Sequence, residues 1–226
     1  MIAMEPPVSI TRRAFCQGTL ALGTLFLASS TSLLGWMRAA GAQAISPVEL
    51  LQPSPLGDRQ LGADNAPVTI VEYASLTCPH CASFHKNVLP ELKKRFIDTG
   101  KVRLIFREFA LNPLDAGAVM LARCLDKDKY FDFIDVLFRS QDQWVVQKPI
   151  EPLLGIAKQA GFTRERFDAC LKNQKLLDDI ETQRNRAAEK FGVNSTPTFF
   201  INGNIARGLQ SIEDVEKEIK PLLTEK

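Results

Sequence analysis

The sequence predicts an α/β fold in which a βαβ unit and a later ββα unit are separated by an all-helical insertion. Three observations carry this reading. Two β-branched apolar runs, at 68–73 and 102–109, flank a helical pattern. Helical spacing then persists over about residues 113–192, and strand character returns on either side of Asn202-Gly203.

Residues 45–65, rich in Pro, Gly and Leu, read as an extended N-terminal arm with one short strand near Gln60 and Leu61. The run VTIVEY at 68–73 is almost continuously apolar, as a strand buried on both faces must be. A helix is expected over 78–98, where Phe84, Val88, Leu92 and Phe96 recur at spacing four, with a kink at Pro90. VRLIFREF at 102–109 follows the turn at Gly100 and gives the second strand, parallel to the first through a right-handed crossover. Asn112 and Pro113 suit the N-cap and first position of a helix reaching Leu125. Four more helices are expected at 130–138, 152–160, 164–171 and 176–191, the last stopped by Gly192. Strands at 198–201 and 204–206 close a hairpin on the Asn202-Gly203 turn. Ser211 and Asp214 then open a final helix running to Lys220, before Pro221.

Charge and composition narrow the function classes. A net charge of +2 with 24% charged and 45% hydrophobic residues lacks the basic excess of a nucleic-acid binder and the low hydrophobicity of a disordered chain. Residues 1–44 read as an export signal. Thr11, Arg12, Arg13 and Phe15 precede an uncharged stretch at 19–36, and Ala42-Gln43-Ala44 provides small residues for cleavage after Ala44. The paired arginines and the Gly, Ser and Thr that dilute the apolar run fit a twin-arginine signal, with a Sec signal or an uncleaved anchor as alternatives. Removing Arg12, Arg13, Arg38 and Glu5 brings the 28 basic and 26 acidic residues into balance. Cys16 leaves with the signal. Cys78, Cys81, Cys124 and Cys170 remain, in a periplasm where disulfides persist. No later apolar run is long enough to span a bilayer, so the mature chain is expected to be soluble.

The chemistry gathers at Cys78-Pro79-His80-Cys81. Two cysteines separated by two residues can close a small disulfide ring, and these lie where a strand ends and a helix begins. The unpaired N–H groups and dipole of a helix N-terminus stabilise an anion and so lower the pKa of the first thiol. Cys78 is therefore expected to be the exposed nucleophile, with protonated His80 as a second cationic influence, and Cys81 the shielded resolving thiol. Stabilising the reduced thiolate makes the disulfide more oxidising. A zinc site or an inert disulfide is the alternative, although a structural zinc needs about four ligands and only His80 and His85 are close. His85 reads as a helix-surface residue.

C-P-H-C after VEYASLT, a long helical insertion, and STPTFFING near the C-terminus together resemble the DsbA-like thiol:disulfide oxidoreductases of the thioredoxin superfamily. The resemblance covers most of residues 66–223 and implies a thioredoxin fold carrying the helical insertion. It also implies an acidic nucleophile at Cys78 and resolution by Cys81. Pro197 takes the place of the family's cis-proline, whereas Thr-Pro read alone is only a turn signal. The Thr196 backbone beside it would pair with an extended substrate peptide. Glu72 matches the buried acid beneath the redox pair, a proton relay for Cys81, since desolvation of a carboxylate favours its protonated form. Cys124 and Cys170 match a second, structural disulfide, worth up to about 4 kcal/mol on the chain-entropy account, with two buried free thiols as the alternative.

The implied function is donation of a disulfide to reduced exported polypeptides, without cofactor, metal or nucleic acid. The implied protein is a monomer reoxidised by a membrane quinone-linked partner. Thr196 departs from the pattern, because the family's best-known oxidases carry an aliphatic residue there and threonine is commoner in isomerases and reductases. Dedicated isomerases add an N-terminal dimerisation domain, and an arm of about 20 residues is too short to form one. The other readings are thus a reductase or isomerase of the same fold, and a copper chaperone using the two thiols as soft ligands.

Overall fold

A computed structural model describes residues 45–224. The expected export signal at 1–44 lies outside the described residues. A five-stranded sheet has the order β1-β3-β2-β4-β5, built from β1 (Arg59–Leu61), β2 (Val68–Ala74), β3 (Val102–Glu108), β4 (Thr198–Ile201) and β5 (Asn204–Ala206). β2 and β3 are parallel, in register from Val68 opposite Val102 to Ala74 opposite Glu108, and the other pairs are antiparallel. This is the thioredoxin sheet. β2 lies between β3 and β4, which explains a sequence with almost no polar alternation: six of its seven residues are buried. Asn202 and Gly203 both have positive φ, the geometry a two-residue hairpin turn needs.

Alternation along β2 sorts the core into faces. Val68 and Ile70 pack with Phe84, Val88, Leu92, Phe199, Val215 and Ile219. Val71 and Tyr73 face Phe191, Phe200 and Leu50 on the other side. The first face is covered by α2 (Pro79–Asn87), α3 (Leu89–Leu92) and α10 (Ile212–Thr224), and the second by α1 (Pro47–Leu50) and α9 (Gln174–Phe191). The rest of the insertion comprises α4 (Pro113–Arg123), α5 (Tyr130–Arg139), α6 (Gln141–Trp144), α7 (Ile150–Gln159) and α8 (Arg164–Leu171). It has its own apolar core around Leu121, Phe133, Leu137, Trp144, Leu153 and Phe167, continuous with Leu76, Cys81 and Phe106 of the sheet half.

Three expectations about elements are corrected. The arm is not wholly extended: Pro47 starts a helical turn, α1, that buries Leu50 to 1% exposure. The single kinked helix over 78–98 is instead α2, α3 and a π-helical turn at Lys93–Ile97. The break falls at Val88, which places Pro90 in the first turn of α3, where its missing N–H costs nothing. α10 runs through Pro221 to Thr224 because Leu222 and Leu223 still pack on the sheet core. Among the described residues, no helix is long and apolar enough to cross a membrane.

Successive residues of β3 hold the arm from both faces. Arg107 is 1% exposed and donates to the Leu50 and Gln52 carbonyls, to Tyr73 Oη at 2.9 Å and, through two nitrogens, to Asp58. Glu108, fully buried, accepts from Arg123, Tyr130 and Gln183, and Arg123 in turn donates to the carbonyls of Leu56 and Gly57 at 2.9 Å. Cys124 and Cys170 are bonded to each other, joining the end of α4 to α8 across 46 positions.

Candidate active site

Cys78 is the N-cap residue of α2, in extended conformation (φ −82°, ψ 123°), and Pro79 occupies the first helical position with the φ a helix requires. The helix therefore begins with its N–H groups around the Cys78 sulfur. The Thr196-Pro197 peptide bond is cis, and the Cys78 thiol donates to the Thr196 carbonyl at 3.3 Å. Hydrogen bonding holds Cys78 well below the usual thiol range, at about 5. The Cys81 thiol contributes most, and burial opposes it. The Thr196 hydroxyl, buried and otherwise unpartnered, and the backbone N–H groups of Cys81 and His80 lower it further. Cys81, with no exposed surface, is driven the other way by burial first, and then by the Cys78 thiol and the negative charge of Glu72.

One expectation needs revision. Cys78 is less open than a bare helix-terminal nucleophile, at 7% exposure, because Thr196 covers it. The His80 backbone N–H bonds the sulfur, and its exposed side chain lines a cleft. That cleft, about 390 Å³, is also bounded by Phe84, Thr196, Pro197, Phe199 and Leu209. Among the described residues, no three His, Cys, Asp or Glu side chains converge to hold a metal.

Glu72 and His85 form the floor of the site. Glu72 has no exposed surface, and His85 is 3% exposed, not on the helix surface. A helix packed on the sheet by one face and on α5 by another buries more than one stripe, and His85 falls between Phe106 and Phe138.

Sequence reasoning missed the residues that hold the loop before Cys78. Asp115 accepts from the Leu76 N–H and the Leu111 N–H, each at 2.9 Å. Asn112 donates to Thr77 Oγ1 at 3.0 Å, and Gln141, opening α6, donates to the carbonyls of Leu76 and Cys78. Asn112 and Asp115 look like ordinary capping residues of α4 in the sequence. Their second role depends on the insertion folding back over the strand end, which no local pattern encodes.

Burial pushes the Asp115 carboxyl up to about 6, and the charge of Cys78 adds to the rise against hydrogen bonds from Ser75, Leu111 and Leu76. The native carboxyl thus holds its proton at pH values where the unfolded one, near 3.8, has lost it. Stability from this group is present at low pH and declines as pH rises from about 4 to about 6, by roughly 3 kcal/mol at most. Glu108, whose pKa is lowered by Arg123 and Tyr130 against burial, acts oppositely, its stabilisation being lost as pH falls below its ordinary value of 4.5. Asp115→Asn is expected to flatten the decline above pH 4.5 in urea titrations. An undiminished slope would place its source elsewhere.

A βαβ–ββα sheet with C-x-x-C at the α2 terminus facing a cis-Pro loop defines a thioredoxin-type protein, and the chain matches the thioredoxin family over residues 55–221. It belongs to that family, and its relatives place it in the DsbA-like branch. It is 34% identical over 183 residues to the Rickettsia felis "Putative protein-disulfide oxidoreductase", covering 80% of this chain and 66% of that protein. It is 32% identical over 174 residues to the Bacillus anthracis "Probable disulfide bond formation protein D", covering 72% of this chain and 78% of that one. The crystal structure of Wolbachia pipientis alpha-DsbA1 superposes with a TM-score of 0.71 at 35% identity, covering 77% of this chain and 94% of that one. The match spans just under two thirds of the Rickettsia felis relative's length.

Proposed function

We propose that the protein is a periplasmic thiol:disulfide oxidoreductase that donates the Cys78-Cys81 disulfide to reduced exported polypeptides. The observation that carries this is the opposite setting of the two thiols. Cys78 is stabilised as an anion at the α2 terminus by hydrogen bonds from the Cys81 thiol, the Thr196 hydroxyl and backbone N–H groups, while Cys81, one turn on, is buried and held protonated. Such a pair favours its reduced state and gives its disulfide away.

A substrate thiolate attacks Cys78, forming a mixed disulfide as the Cys78-Cys81 bond breaks and its electron pair passes to Cys81. The substrate's second thiolate then attacks the mixed disulfide, and Cys78 departs as a stable thiolate. The substrate leaves oxidised by two electrons and the protein is reduced by two. An extended peptide lies in the cleft beside Thr196 and Pro197, paired with the Thr196 backbone. A twin-arginine signal at 1–44 carries the chain to the periplasm, a membrane quinone-linked partner restores the disulfide, and the protein works as a monomer.

One observation favours a second reading as a reductase or isomerase of the same fold: the hydroxyl of Thr196 beside the sulfur, where the family's best-known oxidases carry an aliphatic side chain. Equilibration with glutathione separates the two. An oxidase is expected to be reduced by a small excess of reduced over oxidised glutathione, whereas a disulfide that survives a strongly reducing ratio would reverse the direction.

A further inference from the structure

A side chain of the helical insertion grips the main chain of the nucleophile. Gln141 opens α6, and Trp144, three residues on along the same face, is fully buried with its indole N–H on the Leu137 carbonyl at 2.8 Å. α6 is thereby fixed in the insertion core, and the half-buried Gln141 side chain reaches from it to the loop before α2. Its Nε2 donates to the Leu76 carbonyl at 2.8 Å and to the Cys78 carbonyl at 3.1 Å. Two acceptors facing one amide require its NH₂ end there, and both protons are used.

Cys78 is the N-cap, with non-helical φ and ψ, so α2 fixes only its carbonyl side. Its N–H donates to the Ser75 carbonyl at 3.2 Å, and its carbonyl accepts from the Ala82 N–H and from Gln141, each at 3.1 Å. Asp115 and Asn112 hold Leu76 and Thr77, whereas Gln141 bonds Cys78 itself. The sulfur depends on that placement. Its partners are the Cys81 thiol, Thr196 and the N–H groups of His80 and Cys81, and hydrogen bonds weaken steeply as their angle departs from linear. A small shift of the Cys78 main chain therefore weakens several of them together.

We propose that Gln141 is a positioning residue of the redox site: its amide staples the carbonyls of Leu76 and Cys78, fixes the nucleophile against α2 and Thr196, and so sets how easily the Cys78-Cys81 disulfide is reduced. In reduction by glutathione, two glutathione thiols join as a disulfide and give up two electrons and two protons. The Cys78-Cys81 bond breaks and takes both electrons. Cys81 takes one proton, Cys78 stays a thiolate, and the second proton goes to solvent. The better that thiolate is stabilised, the further the reaction runs. The inference rests on the redox chemistry of the pair but not on the direction in which the cell uses it.

The test compares wild type, Gln141→Leu, Gln141→Glu and a control, Gln143→Leu, which alters an exposed position of the same short helix. Thiolate absorbance gives the Cys78 titration midpoint, equilibration with reduced and oxidised glutathione gives the equilibrium constant of the disulfide, and thermal unfolding gives Tm. Leucine removes both N–H donors at similar volume. Gln141→Leu is expected to raise the midpoint by about one pH unit and to make the disulfide about tenfold harder to reduce, since one unit is a factor of ten. Glutamate turns a carboxylate toward two carbonyls and should exceed leucine in both readouts. Gln143→Leu is expected to match wild type. A wild-type midpoint and equilibrium in either Gln141 variant, whatever its Tm, would overturn the proposal, as would equal shifts in Gln143→Leu. If Gln141→Leu does not fold, Gln141→Ser carries the same comparison. Failure of wild-type protein to oxidise a reduced peptide, with these shifts intact, would remove the oxidase function and leave the positioning role standing.

Discussion

Replacing Cys78 with serine is expected to abolish disulfide transfer to a reduced peptide, while Cys81→Ala leaves a Cys78 that attacks a disulfide-bearing peptide and stays attached to it. The two variants fail differently because only Cys78 is anionic and within reach of Thr196. With a pKa of about 5, Cys78 is about 99% thiolate at pH 7 when reduced, against about 3% for an ordinary cysteine. That gain of about 30-fold in thiolate is largely cancelled by the lower nucleophilicity of a weaker base, since the Brønsted slope is about 0.4–0.5. What remains is leaving-group ability. The acidic sulfur departs readily from a mixed disulfide, which is what a disulfide donor needs. Absorbance of the thiolate near 240 nm should fall with a midpoint near pH 5 in reduced wild type and be missing from that range in Cys78→Ser. A midpoint above pH 8, or peptide oxidation by Cys78→Ser at the wild-type rate, would sink this account.

The largest loss of stability is expected at Arg123. Its side chain is 3% exposed and its guanidinium balances the fully buried Glu108. Arg123→Met leaves that carboxylate uncompensated, a change that costs about 3–5 kcal/mol in comparable buried pairs. Arg59 lies over the Tyr130 ring at 5.2 Å and also feels the Glu108 charge, which moves the expectation toward the lower figure. Adding Glu108→Gln to Arg123→Met should recover part of the loss, because a neutral amide is cheaper to bury than a carboxylate. Urea denaturation of both variants decides it. A single variant within 1 kcal/mol of wild type would mean that water or Arg59 replaces the lost charge.

Much of this was legible in the sequence, for identifiable physical reasons. β2 and β3 announce themselves because a strand covered on both faces cannot hide its apolar continuity, and Gly192 ends α9 with the left-handed φ of 64° that its type suggests. The C-x-x-C was legible because its chemistry is local: a helix terminus acts on the residue beside it. What escaped was tertiary. His85, read as a helix-surface residue, is buried by α5, which packs on α2 from more than 45 residues further along the chain. Asp115 and Gln141 reach the active-site loop only after the insertion has folded over it. Local signals report the backbone's own preferences, and these three side chains are placed by the meeting of two halves.

The grip of Arg107 and Glu108 on residues 50–58 bears on where this domain begins. The carbonyls of Leu50, Gln52, Leu56 and Gly57 are ligands for two guanidinium groups that have little other access to water. A chain cut back to the first central strand would keep every sheet contact of β2 and the whole C-x-x-C motif, yet would leave the buried Arg107 without its Asp58 carboxylate and Arg123, still paired with Glu108, without two carbonyl acceptors. The working boundary of the domain therefore lies upstream of Leu50, in a segment remote from the two thiols that supplies the counter-surface for a buried charge.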